Sequence, residues 1–168
     1  GDLVLQQARA RGNDAVDVAI VGAGVSGVAA AIEARKRGLS FLVLESSKPF
    51  STIIDFPARK PIYTYPAEMD PSGGLKVTAD VKEKLVEELE EQARRHDIRT
   101  TPGRCERIRR QGELLELVLA KGEPIRARRV VVAIGRSGEY RRLGVPGEDL
   151  PKVYHRLHDP RDYAGKRV

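Results

Sequence analysis

Val16-Asp17-Val18-Ala19-Ile20-Val21-Gly22-Ala23-Gly24-Val25-Ser26-Gly27 is the stretch that decides the fold. Its first six residues are mostly apolar and β-rich, as in a strand buried on both faces of a parallel sheet. Three glycines follow at the spacing G-x-G-x-x-G. An Ala-rich run then continues to about Arg37, where Gly38 marks a helix C-terminus. Ser40-Phe41-Leu42-Val43-Leu44 is a second apolar run, closed by Glu45. Strand, glycine turn, helix and strand make a βαβ unit of roughly 30 residues.

Glycine is common, so the G-x-G-x-x-G spacing carries weight only in context. Here a strand precedes it, a helix follows, and an acid ends the next strand. Gly22 permits the tight turn, Gly24 lets a pyrophosphate approach the backbone, and Gly27 lets helix and strand pack closely. Ala31 and Ala34 extend that small-residue stripe. The helix N-terminus presents free N–H groups and a partial positive charge to phosphates. Gly22, Ala23, Gly24, Val25, Ser26 and Gly27 are therefore the candidate diphosphate residues. Glu45 lies about 20 residues further on, where a carboxylate accepts hydrogen bonds from ribose hydroxyls and repels a 2′-phosphate. FAD or NAD is expected there, and NADP is not. The alternative is a turn that only packs helix on sheet, with Glu45 facing solvent.

Outward from this unit, residues 46–77 carry five prolines and Gly73-Gly74, and read as one long irregular loop, usually a functional feature. Thr78-Ala79-Asp80 is expected to cap a charged helix to about His96, with Val81, Leu85, Val86 and Leu89 as its apolar stripe. Ile98 to Thr101 reads as a brief strand. Arg104–Arg110, Glu113–Ala120 and Pro124–Ala127, separated by Gln111-Gly112 and Lys121-Gly122, read as a three-strand antiparallel meander. Arg129 to Ile134 reads as a last buried strand, closed by Gly135. The expected fold class is α/β, a Rossmann-like parallel sheet with the antiparallel meander added.

The 168 residues suit one ordinary domain. No run approaches the roughly 20 apolar residues needed to cross a bilayer, and no secretory leader is visible, so a soluble cytoplasmic domain off the membrane is expected. Cys105 is the single cysteine, which rules out an internal disulfide or a C-x-x-C pair. His96, His155 and His158 form no ligand cluster, so no metal site is expected. Net charge is +6, from 30 Lys+Arg against 24 Asp+Glu. The arginines are scattered and aromatics are only 5%, which argues against nucleic acid.

In an NAD dehydrogenase the second strand leads into further βα repeats. Here a loop, one helix, a meander and a closing Val-Val-Val-Ala-Ile-Gly strand follow instead. That order resembles the FAD domain of the glutathione/thioredoxin-reductase superfamily of two-dinucleotide flavoproteins, over residues 16–168. Arg129 to Gly135 and Gly144-Val145-Pro146-Gly147-Glu148 are similar to the A-T-G segment and the following P-G-E of thioredoxin-reductase-like proteins. Pro146 to His155, and Ser51 to Pro57, resemble the bacillithiol-disulfide-reductase-like branch. The resemblance implies that Gly22 to Ser26 hold the FAD pyrophosphate and that Glu45 and Ser46 hold the adenosine ribose. It implies that Ser51, Thr52 and Ile53 approach the flavin ring, with Phe56, Tyr63 and Tyr65 either nearby or ordinary loop packing. Cys105 would contact the adenine through its backbone, which is compatible with a small apolar side chain in a strand. Ala133, Ile134 and Gly135 would line the pyrophosphate and ribityl region.

Departures accompany the resemblance. The Gly-Gly-Gln that thioredoxin reductases carry after the ribose acid is absent, with Lys48-Pro49-Phe50 nearby, and Ile134 replaces the usual Thr. The chain ends at Val168, where such proteins start their NAD(P)H domain. The implied organisation is a lead-in over 1–15, an FAD domain over 16–150 and a connector over 151–168 into that second domain. The implied chemistry in the whole protein is hydride transfer from NAD(P)H to FAD, then electron transfer to an acceptor such as a small redox protein, in a homodimer. No catalytic acid, base or nucleophile is expected within these residues. The chain alone is expected to be inactive and to hold FAD weakly. Three alternatives stay open: the N-terminal part of a flavin-dependent monooxygenase, a non-catalytic dinucleotide-binding module, and a basic docking module for a redox partner such as a ferredoxin.

Overall fold

A computed structural model describes residues 15–64, 71–135, 142–154 and 163–167. Most of the lead-in, Tyr65, His155 and His158 lie outside the described residues. The elements are β1 (Val16–Val21), α1 (Val25–Lys36), β2 (Phe41–Glu45), α2 (Ser51–Ile54), α3 (Lys82–Arg95), β3 (Thr100–Pro102), β4 (Cys105–Gln111), β5 (Leu114–Leu119) and β6 (Ile125–Val132). They form one six-stranded sheet in the order β3-β2-β1-β6-β5-β4. The pairs β3–β2, β2–β1 and β1–β6 are parallel, and β6–β5 and β5–β4 are antiparallel. The α/β class with an added meander is what the sequence predicts.

A flat sheet of six strands would hold its edges about 24 Å apart. Yet β3 and β4 are the two edges, and only Gly103-Arg104 joins them, a reach of about 10 Å. The sheet must therefore fold over. Its core agrees: Val16, Ala19, Val21, Leu42 and Leu44 from the parallel half pack against Leu117, Ile125 and Ala127 from the meander, with Cys105 and Leu119 at the margin. A second cluster, Ile20, Ala23, Ala31 and Val43, seats α1 on the parallel half. Burying a residue such as Ile20 contributes about 1.5–3 kcal/mol. A third cluster joins α1, α2 and α3 through Val28, Ile32, Phe50, Ile53, Leu85 and Leu89.

Three expectations need correction. The third meander strand and the last buried strand are one strand, β6: its start pairs with β5 through Ile125 and Ala127, and its remainder with β1 from Ala127 to Val132. The exposed Arg126, Arg128 and Arg129 interrupt its apolar pattern and make it read as two. The C-terminal half of β6 is not buried either, since Val131 is 37% and Val132 58% exposed, and Ile134 just beyond it is 67% exposed. Finally, α3 starts at Lys82, and its cap falls one residue beyond the expected Thr78-Ala79-Asp80 stretch. Its N-cap is Val81, with no side-chain cap. Thr78 and Ala79 instead donate their N–H groups to Glu88, on the helix itself. The long loop also contains the short helix α2.

Both long helices end in the same way. The N–H of Gly38 donates to the Arg35 carbonyl and that of Leu39 to the Ala34 carbonyl, with Gly38 left-handed. At the end of α3 Asp97 takes the glycine role, at φ 47°. These stops return the chain promptly to β2 and β3. The carboxy ends of β1, β2 and β6 thus meet at one edge, where the glycine loop lies.

Candidate functional site

The loop between β1 and α1 is held from both neighbouring strands. The Gly22 N–H donates to the Leu44 carbonyl at 2.7 Å, and the Ala133 N–H donates to the Val21 carbonyl at 2.8 Å. Gly22 has φ 103°, and a Cβ there would lie 2.4 Å from the Ala133 oxygen. A Cβ on Gly27 would lie 1.9 Å from the Gly22 oxygen. Both glycines are thus required by backbone meeting backbone. Gly24 differs: its φ of −74° suits any residue, and a Cβ there would meet no atom within 4 Å. Among the described residues nothing demands glycine at that position, and the space beside it is open.

Gly24 is the N-cap of α1, with no side-chain cap and no acid in the first turn. The opening N–H groups of a helix have no intrahelical acceptor. The arrangement leaves them, with the positive end of the helix dipole, for an anion outside the chain.

Glu45 ends β2 beside this loop. One carboxylate oxygen accepts the Ala23 N–H at 2.7 Å and the other accepts the Ser47 N–H at 2.9 Å. A carboxylate has about four acceptor positions, so about two remain for hydroxyl donors. Glu45 is only half-buried, which keeps those positions accessible. Ser46 beside it is exposed.

The other sequence-derived residues fall into two groups. Ala133 is brought against Gly22 and Gly27, with Ile134 and Gly135 following it at the loop's edge. Ser51, Thr52 and Ile53 form the first turn of α2, and Phe50 ties that turn to the loop by donating its N–H to the Ala23 carbonyl at 3.0 Å. Cys105 is further off in the hydrogen-bond pattern. It begins β4, two residues after Gly103, whose N–H donates to the Glu45 carbonyl at 2.8 Å. Burial pushes its thiol pKa up, although a backbone hydrogen bond at Arg107 partly opposes that. A raised pKa disfavours the thiolate, so the geometry gives Cys105 no nucleophilic character.

Ser47 and Phe50 were not legible as site residues, because both act through backbone N–H groups that any residue but proline carries. A cavity of 460 Å³ lined by Asp17, Leu39, Glu113 and Arg128 lies at the amino end of β1, away from the loop. Its carboxylate at Asp17 is already engaged by Ser40 and Arg128.

The family model for pyridine nucleotide-disulphide oxidoreductase matches residues 19–168, from β1 through the glycine loop to the end of the chain. The chain belongs to that family. Membership in the pyridine nucleotide-disulphide oxidoreductases implies FAD and NAD(P)H as cofactors, and the residues of the loop fit a diphosphate. The ferredoxin–NADP reductase of Ignicoccus hospitalis is 29% identical over 90% of this chain and 47% of its own length. That of Thermus thermophilus is 32% identical over 92% of this chain and 45% of its own length. The bacillithiol disulfide reductase Bdr (YpdA) of Bacillus cereus superposes with a TM-score of 0.73 at 25% identity, covering 88% of this chain and 48% of that one. The chain spans about half the length of the curated relatives it matches. No helix among the described residues is long and apolar enough to cross a membrane.

Proposed function

We propose that these residues form the FAD-holding part of an NAD(P)H-dependent, thioredoxin-reductase-like flavoprotein oxidoreductase. The observation that carries the reading is Gly24, a glycine that no described neighbour requires, at the uncapped head of α1 beside a carboxylate with acceptor positions to spare. In this reading, the loop of residues 22–27 holds the FAD diphosphate, through the N–H groups of residues 24–26, while those of Gly22 and Ala23 are bonded to Leu44 and Glu45. Glu45 and Ser46 receive the adenosine ribose, and the backbone of Cys105 meets the adenine. Ala133, Ile134 and Gly135 flank the diphosphate and ribityl chain, and Ser51, Thr52 and Ile53 face the flavin. FAD, when bound, accepts hydride from NAD(P)H and passes the electrons on. The chain's own part is to bind and orient it, with no protein acid or base required.

The organisation proposed is an FAD domain over 16–150, preceded by a lead-in over 1–15 and followed by a connector over 151–168 into an NAD(P)H-binding domain. The chain by itself then holds FAD weakly and does not turn over, in keeping with its covering about half of each relative. The whole protein acts in the cytoplasm as a homodimer and reduces a small redox protein. Exposed Arg107, Arg109, Arg110, Arg126, Arg128 and Arg129 on β4 and β6 supply positive charge that suits an acidic partner.

Titrating FAD, NAD and NADP separately into the chain tests the proposal. Binding of FAD supports it. NADP should bind poorly, because Glu45 repels a 2′-phosphate. Binding of NAD without FAD would favour a nucleotide-sensing module instead.

A further inference from the structure

Phe50 stands in a left-handed backbone conformation, φ 55° and ψ 20°. That region is strained for any side chain other than glycine or asparagine. The other described non-glycine residues at positive φ are Arg59 and Asp97; Asp97 closes a helix and Arg59 lies exposed in a turn. Phe50 is neither polar nor exposed. Its side chain is 2% accessible, packed among Val28, Ile32, Ile53, Leu85 and Leu89 from all three helices. Burying the ring outweighs the local strain, since truncating a fully buried Phe costs more than one left-handed residue does.

Both backbone groups of Phe50 are engaged, one on each side of the site. Its N–H donates to the Ala23 carbonyl at 3.0 Å. Its own carbonyl accepts the N–H groups of Ile53 at 2.9 Å and Ile54 at 3.0 Å, which shapes the turn of α2. The Ala23 N–H donates in turn to Glu45. A continuous chain of bonds thus runs from Glu45, through the peptide units of the glycine loop, to residues 51–54. Strain held in place by over-determined packing, beside a ligand loop, is a mark of preorganisation. Glycine at this position would adopt the same backbone without cost, but it would have no ring to fix the direction of the turn.

We infer that Phe50 is a positioning residue whose buried ring locks α2 against the glycine loop, so that residues 51–53 are preset for the flavin end of the dinucleotide. This rests on the FAD reading above and deepens it. The variants Phe50→Leu and Phe50→Gly should lose the presetting and leave the diphosphate and ribose contacts in place. FAD affinity then falls about tenfold in Phe50→Gly, since ordering a few residues on binding costs about that much. It falls severalfold in Phe50→Leu, while ADP affinity stays within about twofold of wild type in both.

The experiment is calorimetric titration of the chain and both variants with FAD and with ADP, alongside thermal melting. A loss confined to FAD supports the inference. Equal losses for FAD and ADP, or no loss for either, overturn it. If Phe50→Gly does not fold, Phe50→Leu carries the test alone, because it keeps an apolar anchor. Should the wild-type chain bind neither ligand, the dinucleotide reading fails and the role of Phe50 falls with it. Wild-type binding of both ligands, with variants that do not separate them, sinks Phe50 alone.

Discussion

Replacing Gly24 by Ala should separate ligand binding from folding. At φ −74° and ψ −173° the backbone already suits an L-residue, and the added Cβ meets no atom within 4 Å. Two small terms oppose each other in the unliganded protein. Alanine is a poorer N-cap than glycine, while the lost glycine freedom of the unfolded chain stabilises by about 0.4–1 kcal/mol. The net should stay within about 1 kcal/mol, a melting shift of about 2–4 °C. The same Cβ would stand where, in the FAD reading, a diphosphate meets the backbone. Displacing one charge-assisted hydrogen bond costs about 1.5–3 kcal/mol, roughly a tenfold to a hundredfold loss of affinity. Gly27→Ala provides the contrast. Its Cβ would lie 1.9 Å from the Gly22 oxygen and 3.0 Å from the Gly22 carbonyl carbon, and neither is a side chain that can swing away. That overpacking should cost about 1–3 kcal/mol or more, even though Ala is favoured over Gly by about 1 kcal/mol in a helix. Thermal melting of the unliganded variants and calorimetry with ADP and FAD read both effects. Gly24→Ala binding as tightly as wild type, or melting as early as Gly27→Ala, would refute the reasoning.

Glu45→Ala removes the acceptor for the Ala23 and Ser47 N–H groups as well as for the ribose, so ADP affinity should fall about tenfold or more, with a melting temperature lower by a few degrees. Asp17 is held below its ordinary carboxyl pKa by the Ser40 hydroxyl, then by the Ser40 N–H and Arg128. A depressed folded-state pKa gives stability that is present above the unfolded value and lost as pH falls through the folded one. Asp17→Asn should therefore flatten the acid limb of the stability profile below about pH 4, as read by denaturant midpoints at stepped pH. Arg109 donates from Nη2 at 2.7 Å to Glu116, whose side chain is only 6% exposed. Arg109→Met should destabilise by about 1–3 kcal/mol in urea unfolding, because it leaves a buried carboxylate short of a donor.

The βαβ unit was legible because several independent signals agree on it: an apolar strand, glycines at required spacings, a small-residue helix face and a terminal acid. The packing of Ala31 and Ala34 and the stop at Gly38 follow from the same local rules. Where one element serves two partners, the pattern misleads. The start of β6 answers to β5 and its end to β1, so its alternation changes partway and three arginines hide its continuity. Val81 became the cap of α3 because Glu88 draws Thr78 and Ala79 into a hydrogen-bonded loop, a contact set by the fold and not by neighbours in sequence. Phe50 was invisible for a related reason. Its backbone is one that residue type argues against, sustained by packing against the distant helices α1 and α3 as well as the adjoining α2.

The central claim is that the head of α1 and the carboxylate ending β2 together hold an adenosine diphosphate. A crystal of the chain grown with ADP tests it most directly. The account predicts diphosphate oxygens within hydrogen-bond distance of the N–H groups of residues 24–26, with ribose hydroxyls on Glu45. ADP bound elsewhere, or absent at saturating concentration, would contradict it.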